Sequence, residues 1–242
     1  MTTAITDEVC GADIGDERLN RRLVKIVEEL GAQPNLNIPA ATDGRAEMEG
    51  AYRFFDNDKV SPEKIRQPHV AATIERIAQC DMALLVQDTT ELDLTRPSQQ
   101  VRGAGPMDCE SRLGAFHHPL MAFNIDGVAL GTVWQKTWTR DKIETDLTKA
   151  EKSKKRKDTP IEDKESFRWI EGQRAARAVA AVCPNTQCVC VSDSESDIYE
   201  LFSEPRTTTA DDSESLHRPL ELVVRACQDR ATVSAPVNAP FL

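Results

Sequence analysis

The stretch that decides the fold runs from residue 187 to residue 202 and reads QCVCVSDSESDIYELF. Residues 188–191 form a short apolar run, which predicts a strand buried on both faces. Residues 192–196 supply the hydroxyl and carboxylate side chains that begin helices, ahead of an apolar segment. Asp193 therefore falls where a buried strand ends and a helix begins. Since ligands bind at the carboxyl ends of strands in open α/β sheets, Asp193 is either a helix cap or a ligand, and spacing alone favours the cap.

A second acid occupies a similar position earlier in the chain. The apolar run at residues 82–86 predicts a strand that leads into QDTTELD at residues 87–93, where Asp88 follows the strand. If these two strands are neighbours in the sheet, Asp88 and Asp193 lie close together. Two converging carboxylates are the ligands that hard cations such as Mg²⁺ prefer.

The remaining patterns place these strands in a mixed sheet. Residues 117–123 and 128–138 flank NIDG, and an Asp-Gly pair between alternating apolar runs predicts a hairpin. Residues 164–182 predict a helix and residues 220–226 a last strand. The lysine-rich segment 140–160 and the acidic segment 203–217 predict loops. The order from residue 82 is therefore strand, strand, strand, helix, strand, helix, strand, which indicates an α/β fold with flanking helices.

The first 80 residues predict a small helical domain. Residues 16–30 have the apolar spacing of an amphipathic helix, with Arg18, Arg22 and Lys25 on one side. On spacing alone, this basic face is as well explained by simple solvation as by a function. Residues 44–56 predict a second helix, with Met48, Ala51, Tyr52 and Phe55 as its apolar stripe. We expect the aromatic residues there, including Phe54, to lie in the core rather than to stack on bases. A third helix begins at Ser61-Pro62, with a break or kink expected near Pro68.

Composition narrows the functional classes. The chain has 40% hydrophobic and 29% charged residues, and it shows no apolar run long enough to span a bilayer and no signal peptide. We therefore expect a cytoplasmic protein without a membrane partner. The seven scattered cysteines indicate neither a disulfide framework nor a zinc site. His117 and His118 point to opposite faces of a strand, so a structural role is favoured over a shared metal ion. The net charge of −10 argues against an obvious nucleic-acid binder, although two basic clusters, at residues 18–25 and 152–157, leave that function open.

Several motifs resemble those of one enzyme family. QDTTELD at 87–93, DKESFRW at 163–169 and DSESDIYELF at 193–202 are similar to motifs of the DDE transposases of bacterial insertion elements. The similarity is closest to the insertion-sequence-four family (transposon-five transposase-like). GDERLNRRL at 15–23 and EGAYRFFDNDKVSPEKI at 49–65 resemble the helical domain with which that family binds transposon ends. GTVWQKTW at 131–138 and LELVVRA at 220–226 fit the same family.

The resemblance implies a specific organisation. Residues 1–80 would form a helical domain that binds transposon-end double-stranded DNA, and residues 81–242 an RNase H-like catalytic domain. Asp88 and Asp193 match the first two acids of a catalytic triad that holds two Mg²⁺ or Mn²⁺ ions for DNA strand cleavage and transfer. The basic residues of the first helix match the region that contacts DNA, and we assign this role to Arg18, Arg21, Arg22 and Lys25.

One departure from the family qualifies this expectation. The third acid of the triad is a glutamate on a later helix, after a β-rich insertion, and the sequence reaches residue 242 without either. We therefore expect a C-terminally truncated transposase with an incomplete RNase H-like domain and without full activity. The alternative is a non-enzymatic inhibitor that occupies transposon ends or pairs with a full-length transposase. A third interpretation is a decayed gene product that folds poorly.

Overall fold

The computed structural model describes residues 5–96, 98–99, 101–141, 148–206 and 218–229. Its N-terminal part is helical: a short 3₁₀ segment, Ile5–Glu8, precedes α1 (Glu17–Ala32), α2 (Ile38–Ala41), α3 (Arg45–Phe55) and α4 (Pro62–Ile77). Asp16 caps α1 by accepting a hydrogen bond from the backbone N–H of Arg18, and Ser61 caps α4 by accepting one from Lys64. Both caps fall where the sequence predicts helix starts.

The N-terminal helices pack around one apolar cluster. Leu23 and Ile26 of α1 contact Ala51 and Phe54 of α3 in this cluster, and all four are buried. The predicted stripe on α3 is therefore wrong in part, because Tyr52 and Phe55 are 49% and 50% exposed while Phe54 is 1% exposed. Successive helical residues are about 100° apart, so the run YRFF fits two neighbouring stripes almost equally well.

The described strands form one mixed sheet. They are β1 (Met82–Gln87), β2 (Thr90–Asp93), β3 (Gly105–Pro106), β4 (Leu113–Asn124), β5 (Ala129–Trp138), β6 (Gln187–Ser192) and β7 (Glu221–Val224). Strand β4 pairs antiparallel with β1, β2, β3 and β5, whereas β6 pairs parallel with both β1 and β7. The mixed α/β architecture and the β4–β5 hairpin are thus confirmed.

In the part of the chain that the structure describes, three α-helices follow the hairpin: α5 (Lys149–Asp158), α6 (Phe167–Val182) and α7 (Tyr199–Ser203). The loop predicted at residues 140–160 is wrong where α5 forms. A capping box between Thr148 and Glu151 begins this helix, and its lysine and alanine residues favour helix without any apolar periodicity. Residues 142–147, 207–217 and 230–242 lie outside the described part of the chain. Within that part, no helix has the length and apolar character that crossing a bilayer requires.

Helix α4 joins the N-terminal helices to the sheet. Ile65 packs against the N-terminal cluster, while Ile74 and Ile77 pack with the core of the sheet, which includes Leu85 of β1. Helix α4 continues through Pro68, so of the expected break or kink the break does not occur and the kink remains a prediction. Proline removes one helical hydrogen bond, and the packing at both ends of α4 offsets that loss. The predicted domain boundary at residue 80 remains a prediction.

A cluster of polar side chains also holds α4 in place between the N-terminal helices and the sheet. Glu8 accepts hydrogen bonds from Arg76 Nη1 at 2.8 Å and from His69 Nδ1 at 2.5 Å. His69 Nε2 in turn accepts the backbone N–H of Thr132 on β5, and Arg76 Nε donates to the carbonyl of Leu130. Burial alone would raise the pKa of Glu8, but these two basic partners outweigh burial and lower it. Helix α4 is therefore anchored both to the N-terminal segment and to β5.

Candidate functional site

Asp88 and Asp193 lie side by side at one edge of the sheet. In the parallel pairing of β1 and β6, Val86 lies opposite Val191. Asp88 comes two residues after Val86, and Asp193 comes two residues after Val191. Adjacent strands are about 4.8 Å apart, so both carboxylates emerge at the same carboxyl edge. Asp88 is exposed and Asp193 is half-buried. The structure therefore brings together the two acids whose proximity depended on β1 and β6 being neighbours.

Each carboxylate also has a local structural role. Asp193 Oδ1 accepts the backbone N–H of Glu195 at 2.9 Å and so caps the 3₁₀ segment Ser194–Ser196. Asp88 Oδ1 accepts the backbone N–H of Thr89 at 2.7 Å. These hydrogen bonds orient the side chains and use one oxygen of each. The cap favoured by spacing is therefore present, and it leaves the second oxygen of Asp193 for another interaction.

Arg168 of α6 connects the elements around this edge. Its guanidinium donates to Thr89 Oγ1 at 2.8 Å, to the Glu165 carbonyl at 2.9 Å and to Glu195 Oε2 at 2.5 Å. The Arg168 side chain is only 10% exposed, whereas that of Glu195 is 61% exposed. Burial lowers the pKa of Arg168, while the charges of Glu195, Glu165 and Asp193 act in the opposite direction. Arg168 thus holds the loops after β1 and β6 in a fixed arrangement next to Asp88 and Asp193.

A chain of hydrogen bonds continues from Arg168 into the core. Arg168 can only donate, so the Thr89 hydroxyl accepts from it and directs its own hydrogen to His118 Nδ1, 2.8 Å away. His118 Nε2 therefore carries the ring hydrogen and donates to Gln87 Oε1 at 3.2 Å. Gln87 Nε2 completes the chain by donating to Cys190 Sγ at 3.4 Å. The chain thereby links residues of β1, β4 and β6.

His118 is neutral and structural. It is completely buried, and its ring makes edge contacts with Trp169 at 4.5 Å and Trp134 at 6.0 Å between centroids. Burial lowers its pKa to about 3, with the positive charge of Arg168 as the next contribution. His117 faces the other way, where its Nδ1 lies 2.9 Å from Thr137 Oγ1. The two histidines thus occupy opposite faces, as their positions on a strand predict.

The strand-end carboxylates are suited to a hard divalent cation. Mg²⁺ prefers oxygen ligands, keeps several waters, and is commonly held by one or two carboxylates together with substrate phosphates. Mn²⁺ accepts the same ligands. Across the ranges that the structure describes, no group of three or more His, Cys, Asp or Glu side chains is placed to hold a metal ion. Asp88 and Asp193 are thus a pair of carboxylates at this edge of the sheet.

The four basic residues predicted on α1 line a single groove. Arg18, Arg21, Arg22 and Lys25 surround a surface depression of about 320 Å³. Arg18 and Arg21 are highly exposed, with 85% and 73% of their side-chain surface accessible. The four residues fall within two turns of one helix, so their charges form a continuous strip. A strip of this kind is suited to contacts with a row of phosphates.

A second groove, of about 470 Å³, lies between α1 and α3 and shares Arg18 and Arg22 with the first. Its lining adds Arg53 and Lys59, which the sequence patterns did not indicate. At its floor, the guanidinium of Arg22 lies over Gly50: a Cβ added there would be 2.7 Å from Nη1 and 2.8 Å from Cζ. Gly50 therefore provides the space in which Arg22 sits. No local pattern reveals this contact, because it joins residues 28 positions apart.

Carboxylates balance part of this basic surface. Arg18 pairs with Asp16 at 3.0 Å, and this hydrogen bond lowers the pKa of Asp16 to about 2. Lys25 lies 3.2 Å from Glu47, which raises the pKa of the Lys25 ammonium group. Among the residues described, Arg22 has no carboxylate oxygen within 4.0 Å. Arg22 is thus the member of the strip with the fewest competing partners for an incoming phosphate.

The N-terminal helices are similar to a known protein family. Residues 1–60 match a family model described as Transposase DNA-binding. The match covers the 3₁₀ segment, α1, α2 and α3, and it therefore includes both grooves. The match supports a transposase-like DNA-binding function for this part of the chain, with DNA as its partner.

Proposed function

We propose that this chain binds the ends of a transposon through the α1–α3 surface and presents Asp88 and Asp193 to a divalent cation for DNA phosphoryl transfer. The sheet would then be of the RNase H-like class and the chain a member of the insertion-sequence-four group of DDE transposases. The side-by-side placement of Asp88 and Asp193 after adjacent parallel strands carries the catalytic half of this proposal.

The bound cation, Mg²⁺ or Mn²⁺, would stabilise the negative charge that develops on a phosphate during strand cleavage. Asp88 and Asp193 would hold it, with their orientation set by the backbone N–H groups of Thr89 and Glu195. Arg168 would keep the two loops aligned through its contacts with Thr89 and Glu195. These contacts make Arg168 a positioning residue for the carboxylates.

The DNA half of the proposal can be tested by binding. The probe is a duplex with the terminal inverted repeat of the element that carries the gene, compared with a shuffled duplex of the same composition. We expect the chain to prefer the first duplex and Arg22→Gln to weaken binding about tenfold. Arg45→Gln is the control, since Arg45 is an exposed arginine of α3 that does not line either groove. Equal binding of the two duplexes by the unaltered chain would contradict end recognition.

The catalytic half can be tested with the metal alone and then with DNA. Asp88→Asn and Asp193→Asn should each weaken Mn²⁺ binding at least tenfold in calorimetry, because each removes a charged oxygen ligand. Asp81→Asn is the matched control, since Asp81 is exposed at the opposite end of β1. Unchanged Mn²⁺ affinity in both site variants would exclude this site.

A second candidate function is transposon-end binding without strand cleavage. It is favoured by the presence of two, rather than three, clustered acids among the described residues. Such a chain would inhibit transposition by occupying ends or by pairing with a full-length transposase. Mg²⁺-dependent nicking of an end-containing duplex by the unaltered chain, abolished in Asp88→Asn, would exclude this alternative.

A further inference from the structure

A cavity of about 510 Å³ lies where the N-terminal helices meet the sheet, and it shares no lining residue with the two basic grooves. Its walls come from the 3₁₀ segment, α3, α4 and β5. Volumes of about 300–1,000 Å³ are typical of pockets that bind small molecules. Most of the lining is apolar and consists of Val9, Phe55, Val60, Pro62 and Ile65. The cavity is therefore a candidate ligand site that the proposed function does not use.

The apolar wall of this cavity is held in place by the N-terminal core. Val9 is 7% exposed, and Val60 and Ile65 pack against the cluster that contains Phe54. The ring of Phe55 makes an edge contact with that of Phe54, with 5.4 Å between the centroids, and yet Phe55 is 50% exposed. Covering exposed aromatic surface is favourable, so Phe55 offers a well-positioned contact for an apolar ligand.

Arg66 of α4 supplies a positive charge at the same cavity. In the described part of the chain, its guanidinium has neither a hydrogen bond nor a carboxylate oxygen within 4.0 Å. The backbone and Ser61 hydrogen bonds of Glu63 are the main reasons why the pKa of Glu63 is lowered, and the charge of Arg66 adds to them. Gln135 of β5 contributes a side-chain amide that also makes no hydrogen bond among the described residues. Arg66 and Gln135 are therefore available donors.

The acidic group that lines the cavity is already neutralised. Both oxygens of Glu8 accept hydrogen bonds from Arg76, at 2.8 and 3.1 Å, so the two charges cancel. His69 is also occupied, because its Nδ1 faces Glu8 and its Nε2 accepts the backbone N–H of Thr132. Glu8 and His69 thus hold the wall together rather than contact a ligand. Among the lining residues, the charge left without a counter-charge is that of Arg66.

We propose that this cavity binds a small amphipathic organic acid, with its apolar body on Phe55 and Val9 and its acidic group on Arg66. A guanidinium can donate two parallel hydrogen bonds to a carboxylate, which makes an acid the best-matched polar group for Arg66. The apolar wall suits the hydrocarbon or aromatic part of the same molecule. A ligand bound here would contact α3, α4 and β5 at once. The site is independent of DNA binding, so a failure of end recognition would not affect it.

The test titrates the full chain with two fluorescent probes that have the same aromatic body. Anilinonaphthalenesulfonate carries one anionic group, and N-phenylnaphthylamine carries none. Arg66→Gln removes the charge from the cavity, and its control is Arg45→Gln, since Arg45 is an exposed arginine outside the cavity. Phe55→Ala removes the aromatic wall, and its control is Tyr52→Ala, because Tyr52 lies on the same helix, is 49% exposed and does not line the cavity. Circular dichroism and thermal unfolding check that each variant is folded.

We expect the unaltered chain to bind the sulfonate about tenfold more tightly than the neutral probe, and Arg66→Gln to abolish this difference by weakening the sulfonate alone. Phe55→Ala should weaken both probes by about fivefold, because both have the same apolar body. Arg45→Gln and Tyr52→Ala should change neither affinity. Sulfonate affinity that is unchanged in Arg66→Gln, or that falls equally in either control, would overturn the site. So would the absence of saturable binding of the sulfonate by the unaltered chain. Arg66→Gln removes no hydrogen bond or ion pair among the described residues, so it decides the result even if Phe55→Ala unfolds.

Discussion

The contact between Arg22 and Gly50 allows a mutation to affect stability and DNA binding in opposite directions. Gly50 lies inside α3, where alanine is favoured over glycine by about 1 kcal/mol. An alanine Cβ, however, would lie 2.7 Å from Nη1, 2.8 Å from Cζ and 3.1 Å from Nη2 of Arg22. These atoms are the end of a flexible side chain. The guanidinium can therefore move away without unfolding the helix, and Arg22 would leave its place in the groove.

Gly50→Ala should consequently raise the melting temperature by about 2–4 °C and weaken binding of the terminal-repeat duplex by about three- to tenfold. Such a change corresponds to about 0.7–1.4 kcal/mol of binding free energy. Differential scanning fluorimetry measures the first quantity and fluorescence anisotropy the second. The two measurements together distinguish displacement of Arg22 from general damage to the fold.

A double-mutant cycle shows whether Arg22 mediates the effect. If it does, Gly50→Ala should have no further effect on DNA binding in an Arg22→Gln background, while it should still stabilise the helix. The reasoning would be refuted by a Gly50→Ala variant that binds as tightly as the unaltered chain. It would also be refuted by additive effects in the double mutant, because these would mean that Gly50 acts independently of Arg22.

Three further predictions concern the carboxylate edge and the two cores. The Asp193→Asn variant should keep its melting temperature but lose Mn²⁺ binding, because asparagine is also a good helix cap. The Asp193→Ala variant should lose Mn²⁺ binding and also about 1 kcal/mol of folding stability. The pKa of the buried His118 is about 3, whereas the pKa of a histidine in the unfolded chain is about 6.5. The free energy of unfolding should therefore be greatest above pH 6.5 and should decrease as the pH falls toward 3. At pH 5 the decrease should be about 2 kcal/mol. Urea titrations at pH 7.5 and pH 5 measure this change in the free energy of unfolding. The His118→Gln variant should no longer show it, and the control variant His117→Gln should still show it. A pH dependence that persists in His118→Gln would have to arise from other groups. Phe54→Ala should destabilise the fold by about 3–5 kcal/mol in the same titrations, whereas the half-exposed Phe55→Ala should cost much less, and equal destabilisation would contradict the observed burial.

The sequence predicted most reliably those elements whose signal is local. The apolar runs that became β1 and β6, the caps at Asp16 and Ser61, and the hairpin between β4 and β5 are all short-range patterns. Predicting that Asp88 and Asp193 are adjacent required knowing that β1 and β6 pair directly. The sequence pattern alone did not establish that pairing. Strand order depends on contacts between residues more than 100 positions apart, which periodicity does not encode.

Other features escaped prediction for identifiable physical reasons. Helix α5 has no apolar stripe, so only its capping box at Thr148 and Glu151 and its lysine and alanine content indicated a helix. On α3 the stripe was displaced by one residue, because an aromatic run offers two nearly equivalent faces. The hydrogen-bond chain from Arg168 to Thr89 spans 79 positions, and residue types alone do not reveal such long-range contacts.

The anchoring of α4 has a consequence for the proposed function. This helix of 16 residues is about 24 Å long, comparable with about seven base-pair steps of a duplex, and His69 and Arg76 fix it to β5. In the proposed function, this attachment would keep the α1–α3 surface at a fixed position relative to Asp88 and Asp193. Inserting one helical turn would lengthen α4 by about 5 Å, and under the proposed function this change would shift the bound DNA relative to Asp88 and Asp193.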